Sequence, residues 1–244
     1  MLIDVEEELT LCVQAIGGRH VSDLVGHSPK FQNADYIFPE QKVVAELKSL
    51  DEDKILDERN IKKASELYLK DLNNNKAPVV VFGTVQLTTA GFSEELVEGI
   101  KKLYKDPIQR LVKKANKQIR ETKSELEVSN YKGLMLIANN NHSALDPDHA
   151  NQILEEIFRK PDYSSINSVV YFSAGQTSVD SAGREFGIWI EKHREGLPQI
   201  ESGFLCLLRD EWLQHYTKLK KENQHAVLKG NPEHLSNLTN KRNQ

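Results

Sequence analysis

Along Val43-Val44-Ala45-Glu46-Leu47-Lys48-Ser49-Leu50 the side chains alternate as they do on a pleated strand. Val43, Ala45 and Leu47 point to one face, and Val44, Glu46 and Lys48 to the other. A second short apolar run, Ala34 to Phe38, precedes it, and Pro39-Glu40-Gln41 reads as the turn between them. Upstream, Val5, Leu9, Cys12, Val13 and Ile16 recur at helical spacing, which predicts an amphipathic helix over Ile3 to Ile16, stopped by Gly17-Gly18. Val21 to Val25 reads as a short strand leading to a turn at Gly26-His27-Ser28-Pro29.

Further along, Asp51 or Asp53 is expected to cap a polar helix reaching Leu72, ended by Asn73-Asn74-Asn75-Lys76. Pro78 opens a β-rich run over Val79 to Val85. Ser93 with Glu94 and Glu95 starts a short helix to Tyr104, and Asp106-Pro107 starts a second, longer one to about Leu126. Gly133 to Ala138 and Val169 to Phe172 read as buried strands, with Asn139-Asn140-Asn141-His142 as a loop after the first. Between them Asp146-Pro147 caps a helix through Phe158. Phe186 to Ile190 reads as a further strand and Phe204 to about Gln224 as a helix. The polar stretch from Gly230 to Gln244 is expected to fray.

Composition changes this picture little. The chain has 244 residues and a net charge of −4, ordinary for a globular protein. No apolar run approaches the ~20 residues that cross a bilayer, so no membrane partner is expected. Cys12 and Cys206 are far apart and lack metal-like spacing, which suits a reducing, cytoplasmic setting and excludes a cysteine-rich zinc site.

The chemistry lies on the alternating strand. Glu46 and Lys48 project from one face, roughly 6–7 Å apart along the chain, and the preceding strand can bring Asp35 beside them. Two carboxylates and a lysine at one point suit a hard divalent cation and an activated water. Glu-x-Lys also occurs at Glu52-Asp53-Lys54 and Glu121-Thr122-Lys123, but both of those lie in helical segments. In the proposed arrangement Asp35, Glu46 and the backbone carbonyl of Leu47 hold one or two Mg²⁺ (or Mn²⁺) ions, while Lys48 orients the water or stabilises the transition state.

Asp35, Glu46 and Lys48 resemble the signature of the PD-(D/E)xK phosphodiesterase superfamily, over a span from Met1 to about Ser173. Ala34 stands where the motif's name has a proline. The resemblance implies an α/β fold with a restriction-endonuclease-like αβββαβ core, a central mixed sheet flanked by helices, here with an inserted segment and a C-terminal helix. It implies a single nuclease-like domain over residues 1–229, with 51–105 as the insertion. It further implies a metal-dependent nuclease acting on DNA in preference to RNA, in restriction, phage defence or DNA processing, and a homodimer. Some members bring a helical Glu to the metal, for which Glu8 is the candidate here. A polar residue on the helix after the active-site strands often reaches the site, for which Gln118 or Lys114 is the candidate.

Between Lys101 and Lys123 lie nine basic residues and two acids. On a helical wheel Ile108, Leu111, Val112, Ala115 and Ile119 share one side, and Arg110, Lys113, Lys114, Lys117 and Arg120 the other. That segregated positive ridge suits a phosphate backbone. His142, Asp146, Asp148 and His149 have no fixed zinc spacing and read as a loop and a capped helix start. The rival to a nuclease is a catalytically silent module of the same fold that binds nucleic acid or a protein partner.

Overall fold

A computed structural model of the chain describes residues 3–26, 31–52, 57–77, 91–142, 145, 147–175, 177–179 and 185–229. The expected turn at 27–29, the run at 79–85, the caps at Asp53 and Asp146 and the tail 230–244 lie outside them.

The fold is α/β, with a mixed, open six-stranded sheet flanked by helices. The elements run α1 (Val5–Ala15), β1 (Arg19–His20), α2 (Ser22–Val25), β2 (Tyr36–Phe38), β3 (Val43–Leu50), α3 (Glu58–Asn73), α4 (Glu94–Glu125) and β4 (Lys132–Asn139). They continue α5 (Pro147–Phe158), β5 (Ser168–Ser173), β6 (Ser178–Val179), β7 (Glu185–Phe186), β8 (Trp189–His193) and α6 (Ser202–Lys229). Across the sheet the order is β1-β2-β3-β4-β5-β8. The central strands β3, β4 and β5 are parallel, and the strands on either side of them join antiparallel. Strands β6 and β7 form a separate small ribbon.

The alternation read along β3 sorts its side chains between two cores. Val43, Ala45 and Leu47 join Leu134, Leu136 and Phe172 under α1 and α6. Val44 and Leu50 join Met135, Ile137 and Tyr171 under α4 and α5. Glu46 and Lys48 share the second face, beside that core. Asp4 begins α1 as expected of a cap, its carboxylate accepting the Glu7 N–H at 3.1 Å.

Four expected elements differ. The strand anticipated at Phe186–Ile190 is divided: Phe186 ends β7 of the small ribbon and Trp189 begins β8 of the main sheet, with Gly187 and Ile188 between them. The helices anticipated on either side of Asp106-Pro107 are one continuous α4 with Pro107 inside it. Proline removes one intrahelical bond there, but the buried stripe from Leu96 through Ile108 to Ile119 continues across it, and packing holds the helix together. No strand forms at Val21–Val25: the strand β1 comes just before it, at Arg19–His20, and Ser22–Val25 is the single turn of α2, while the buried Val21 donates its N–H to the Asp35 carbonyl at 2.9 Å. Helix α3 begins after Asp57, and Asp51 instead accepts from Ser49 Oγ at 2.7 Å and Asn140 Nδ2 at 2.8 Å.

Helix α3 packs along the N-terminal half of α4. Leu67 fills the space beside Gly99, where a Cβ would come within 2.5 Å of it. The Asp71 carboxylate accepts the Ser93 N–H at 2.7 Å and also its hydroxyl, which fastens the end of α3 to the start of α4.

Candidate active site

The site forms where β2 leaves β3. The two pair antiparallel from Phe38↔Val43 to Tyr36↔Ala45, and then β2 ends. Even-numbered residues of β3 turn their backbone groups toward β4, as the bonds from Lys132 N to Lys42 O and from Asn140 N to Leu50 O show. Leu47 and Ser49 therefore face the edge that β2 has vacated. Asp35 sits there, and its Oδ2 takes the place of a strand by accepting the Leu47 N–H at 2.7 Å. The Leu47 carbonyl lies along the same edge.

Helix α4 holds Asp35 in place from behind. Thr122 Oγ1 accepts the buried Ala34 N–H at 2.7 Å, Gln118 Nε2 donates to the Asn33 carbonyl at 3.0 Å, and Glu121 accepts the Gln32 N–H at 3.0 Å. Three consecutive residues before Asp35 are thus tied to three side chains of one helix.

Glu46 is wholly buried. One carboxylate oxygen pairs with the Lys48 ammonium, while Oε2 meets no hydrogen-bond donor among the described residues. Its carboxyl and that of Asp35 line the same cleft, near enough for each charge to be felt by the other. Burial, and then the neighbouring Asp35 charge, push the Glu46 carboxyl up to about 8 against the pull of Lys48. Burial also raises Asp35, opposed by the Leu47 N–H and by Lys48. A cation between them would offset the repulsion that ionising both carboxyls creates.

The three residues line a cleft of about 670 Å³, bounded by α1 on one side and α4 on the other. Of the α4 candidates, Gln118 and Lys114 both line it. Gln118 is buried, and its Oε1 has no partner among the described residues. Glu8 is not brought to the site: its carboxylate pairs with His215 on α6, 2.6 Å away. Glu6 lines the cleft instead, with Asp4 and Asp51. None of these three stands out in the sequence as a site residue, and only Asp4, as a cap before the first helix, leaves a local signal there.

The donor set fits a small hard cation. Asp35 and Glu46 offer carboxylate oxygens, one of them without a donor, and the Leu47 carbonyl lies on the same edge. No group of three His, Cys, Asp or Glu side chains is placed to hold a metal among the described residues. Two carboxylates with water in the remaining positions is how Mg²⁺ is commonly held, since it keeps part of its hydration shell.

The predicted ridge is present on α4. Arg110, Lys113, Lys114, Lys117 and Arg120 are exposed, opposite the buried Ile108, Val112, Ala115 and Ile119. Lys117 pairs with Glu121 at 3.6 Å; among the described residues the other four have no acid partner. Lys123 turns inward, donating to the Ser165 carbonyl at 3.2 Å, and burial lowers its ammonium to about 8.

Among the described residues no helix is long and apolar enough to cross a membrane. Comparison with family models, curated proteins and solved structures gave no match to this chain.

Proposed function

We propose that the cleft is the active site of a Mg²⁺- or Mn²⁺-dependent nuclease that hydrolyses phosphodiester bonds in DNA. The carrying observation is the meeting of the Asp35 and Glu46 carboxyls at the open edge of β3, with the Lys48 ammonium against them. The order α1, β1, β2, β3, α4, β4 supports the restriction-endonuclease-like reading, with α3 and the first half of α4 as an insertion between β3 and the sheet-packing part of α4.

When bound, the divalent ion supplies charge neutralisation at the phosphate and a more acidic water. Asp35 and Glu46 would hold it, and the bond from the Leu47 N–H keeps the Asp35 carboxylate in one orientation. Lys48, whose ammonium stands against Glu46, would present its charge to the attacking water or to the charge developing on the phosphate. Gln118 Oε1 is an acceptor without a partner among the described residues, and Lys114 a cation at the cleft's rim.

Purified protein with Mg²⁺ or Mn²⁺ and supercoiled, linear, single-stranded and RNA substrates tests this reading. Cleavage that disappears in Asp35→Ala supports it. A second reading, a silent module that binds without cutting, is favoured by the Lys48–Glu46 ion pair, which lets the site satisfy its own charge. No cleavage of any substrate, with wild type and Asp35→Ala binding nucleic acid alike, would establish that alternative.

A further inference from the structure

The two rims of the cleft carry opposite charge. On the α4 rim stands Lys114, and the exposed stripe continues past it toward Arg110 and toward Arg120, over about 15 Å of helix. The α1 rim carries Asp4 and Glu6, with Asp51 at the end of β3. That acidic rim is built in. Asn140 Oδ1 accepts the Ile3 N–H at 3.2 Å, and Asn140 Nδ2 donates to the Ile3 carbonyl at 2.9 Å and to Asp51 at 2.8 Å.

Size and charge point the same way. A cleft of about 670 Å³ is in the range of pockets that enclose small organic ligands, roughly 300–1,000 Å³. A duplex carries two phosphate strands, and with one on the cationic rim the other would face Asp4, Glu6 and Asp51 across the cleft. One strand can follow the cationic rim and leave the acidic rim to water. Because cations extend beyond Lys114 in both directions, such a strand passes the site rather than ending at it.

We infer that the cleft takes a single strand of nucleic acid, laid along α4 and crossing the site at Lys114, and that the acidic α1 rim excludes a continuous duplex. The inference rests on reading this cleft as a nucleic-acid site, and binding tests it separately from cleavage.

The experiment is fluorescence anisotropy in EDTA, with a labelled DNA strand of about 20 nucleotides, alone and annealed to its complement. The strand alone should bind roughly tenfold tighter or more. Reversing two exposed cations, Arg110→Glu with Lys113→Glu, should remove most of that affinity and reduce the salt slope by about 0.7 for each phosphate no longer neutralised. Glu6→Lys should raise duplex affinity and narrow the preference. Equal or tighter duplex binding overturns the inference, as does single-strand affinity unmoved by the ridge reversal in a variant with wild-type circular dichroism. Preferential cleavage of duplex also overturns it and leaves the nuclease reading intact. Single-strand preference without cleavage in Mg²⁺ or Mn²⁺ sustains the inference and sinks the nuclease reading. No binding of either substrate overturns the inference and leaves the nuclease reading to the cleavage assay with metal.

Discussion

The Asp35 carboxylate accepts the Leu47 N–H at 2.7 Å, doing for β3 what the backbone of Ala34 would have done had β2 continued in register. One side chain therefore closes a gap in the sheet and stands in the candidate site. The two roles come apart on substitution. Asp35→Asn keeps an acceptor for Leu47 and should fold with near-normal stability while losing cleavage. Asp35→Ala leaves the Leu47 N–H without its partner and should cost about 1–3 kcal/mol as well. Urea melts of both variants beside cleavage assays check this; equal stability losses would show that the hydrogen bond carries little weight.

Thr122 tests the support behind that carboxylate. Its hydroxyl accepts the buried Ala34 N–H at 2.7 Å, one residue from Asp35. Thr122→Val is nearly isosteric but leaves that donor unsatisfied, so a loss of about 1–3 kcal/mol is expected. Cleavage should fall more than binding, because the strand still reaches the ridge while Asp35 is less firmly placed. Thr122→Ser, which keeps the hydroxyl, should restore most of both.

Much of this arrangement was legible because it is periodic. Period two along Val43–Leu50 placed Glu46 and Lys48 on one face, and the two cores divide the remaining residues of that strand accordingly. The helical period likewise separated the ridge of α4 from its buried stripe. What was not legible depends on contacts distant in sequence. Glu6 and Glu8 are both acids in the first turn of α1 and look equivalent there. His215, 207 residues further along, draws Glu8 to α6, and Glu6 is left on the cleft. Pro107 is a sound local stop signal, overridden by the stripe that packs on both sides of it. The tie from Thr122 to Ala34 spans 88 positions and has no local pattern at all.

Gly133 gives a check on the fold alone. A Cβ there would lie 1.9 Å from the Ser165 carbonyl oxygen and 2.9 Å from Ile119, so backbone must move to admit it. Gly133→Ala is expected to cost about 1–3 kcal/mol or more, the usual range for overpacking. It should lower the thermal midpoint without altering the pH dependence of the remaining folded protein. A variant as stable as wild type would contradict the close approach of β4 to that carbonyl.

Lys48→Ala separates holding the ion from using it. The carboxylates that would bind Mg²⁺ remain, so calorimetry should still detect binding, while cleavage should drop by a factor on the order of 10²–10³, as when a charge-stabilising donor is removed. Loss of binding with undiminished cleavage would contradict the role given to Lys48. Removing the ammonium also removes a force that lowers the Glu46 carboxyl, so binding in the variant should need higher pH than in wild type.

The buried pair predicts how stability depends on pH without metal. Glu46 is raised from 4.5 to about 8, chiefly by burial and then by Asp35, and Asp35 is raised by burial in the same direction. Folding therefore favours the protonated forms. Their contribution is fully present below the unfolded carboxyl range and is lost as pH rises toward about 8, where the folded protein must ionise Glu46 in place. The unfolding midpoint in urea, measured in EDTA, should fall across pH 5 to 8 relative to Glu46→Gln, in which this slope is reduced. Mg²⁺ should oppose the fall most strongly at the upper end, because it binds the ionised pair and stabilises the folded state by mass action. A midpoint that rises over the same interval in wild type but not in Glu46→Gln would mean that Glu46 is ionised more easily in the folded protein than in the unfolded chain, and the buried carboxyl pair would have to be abandoned.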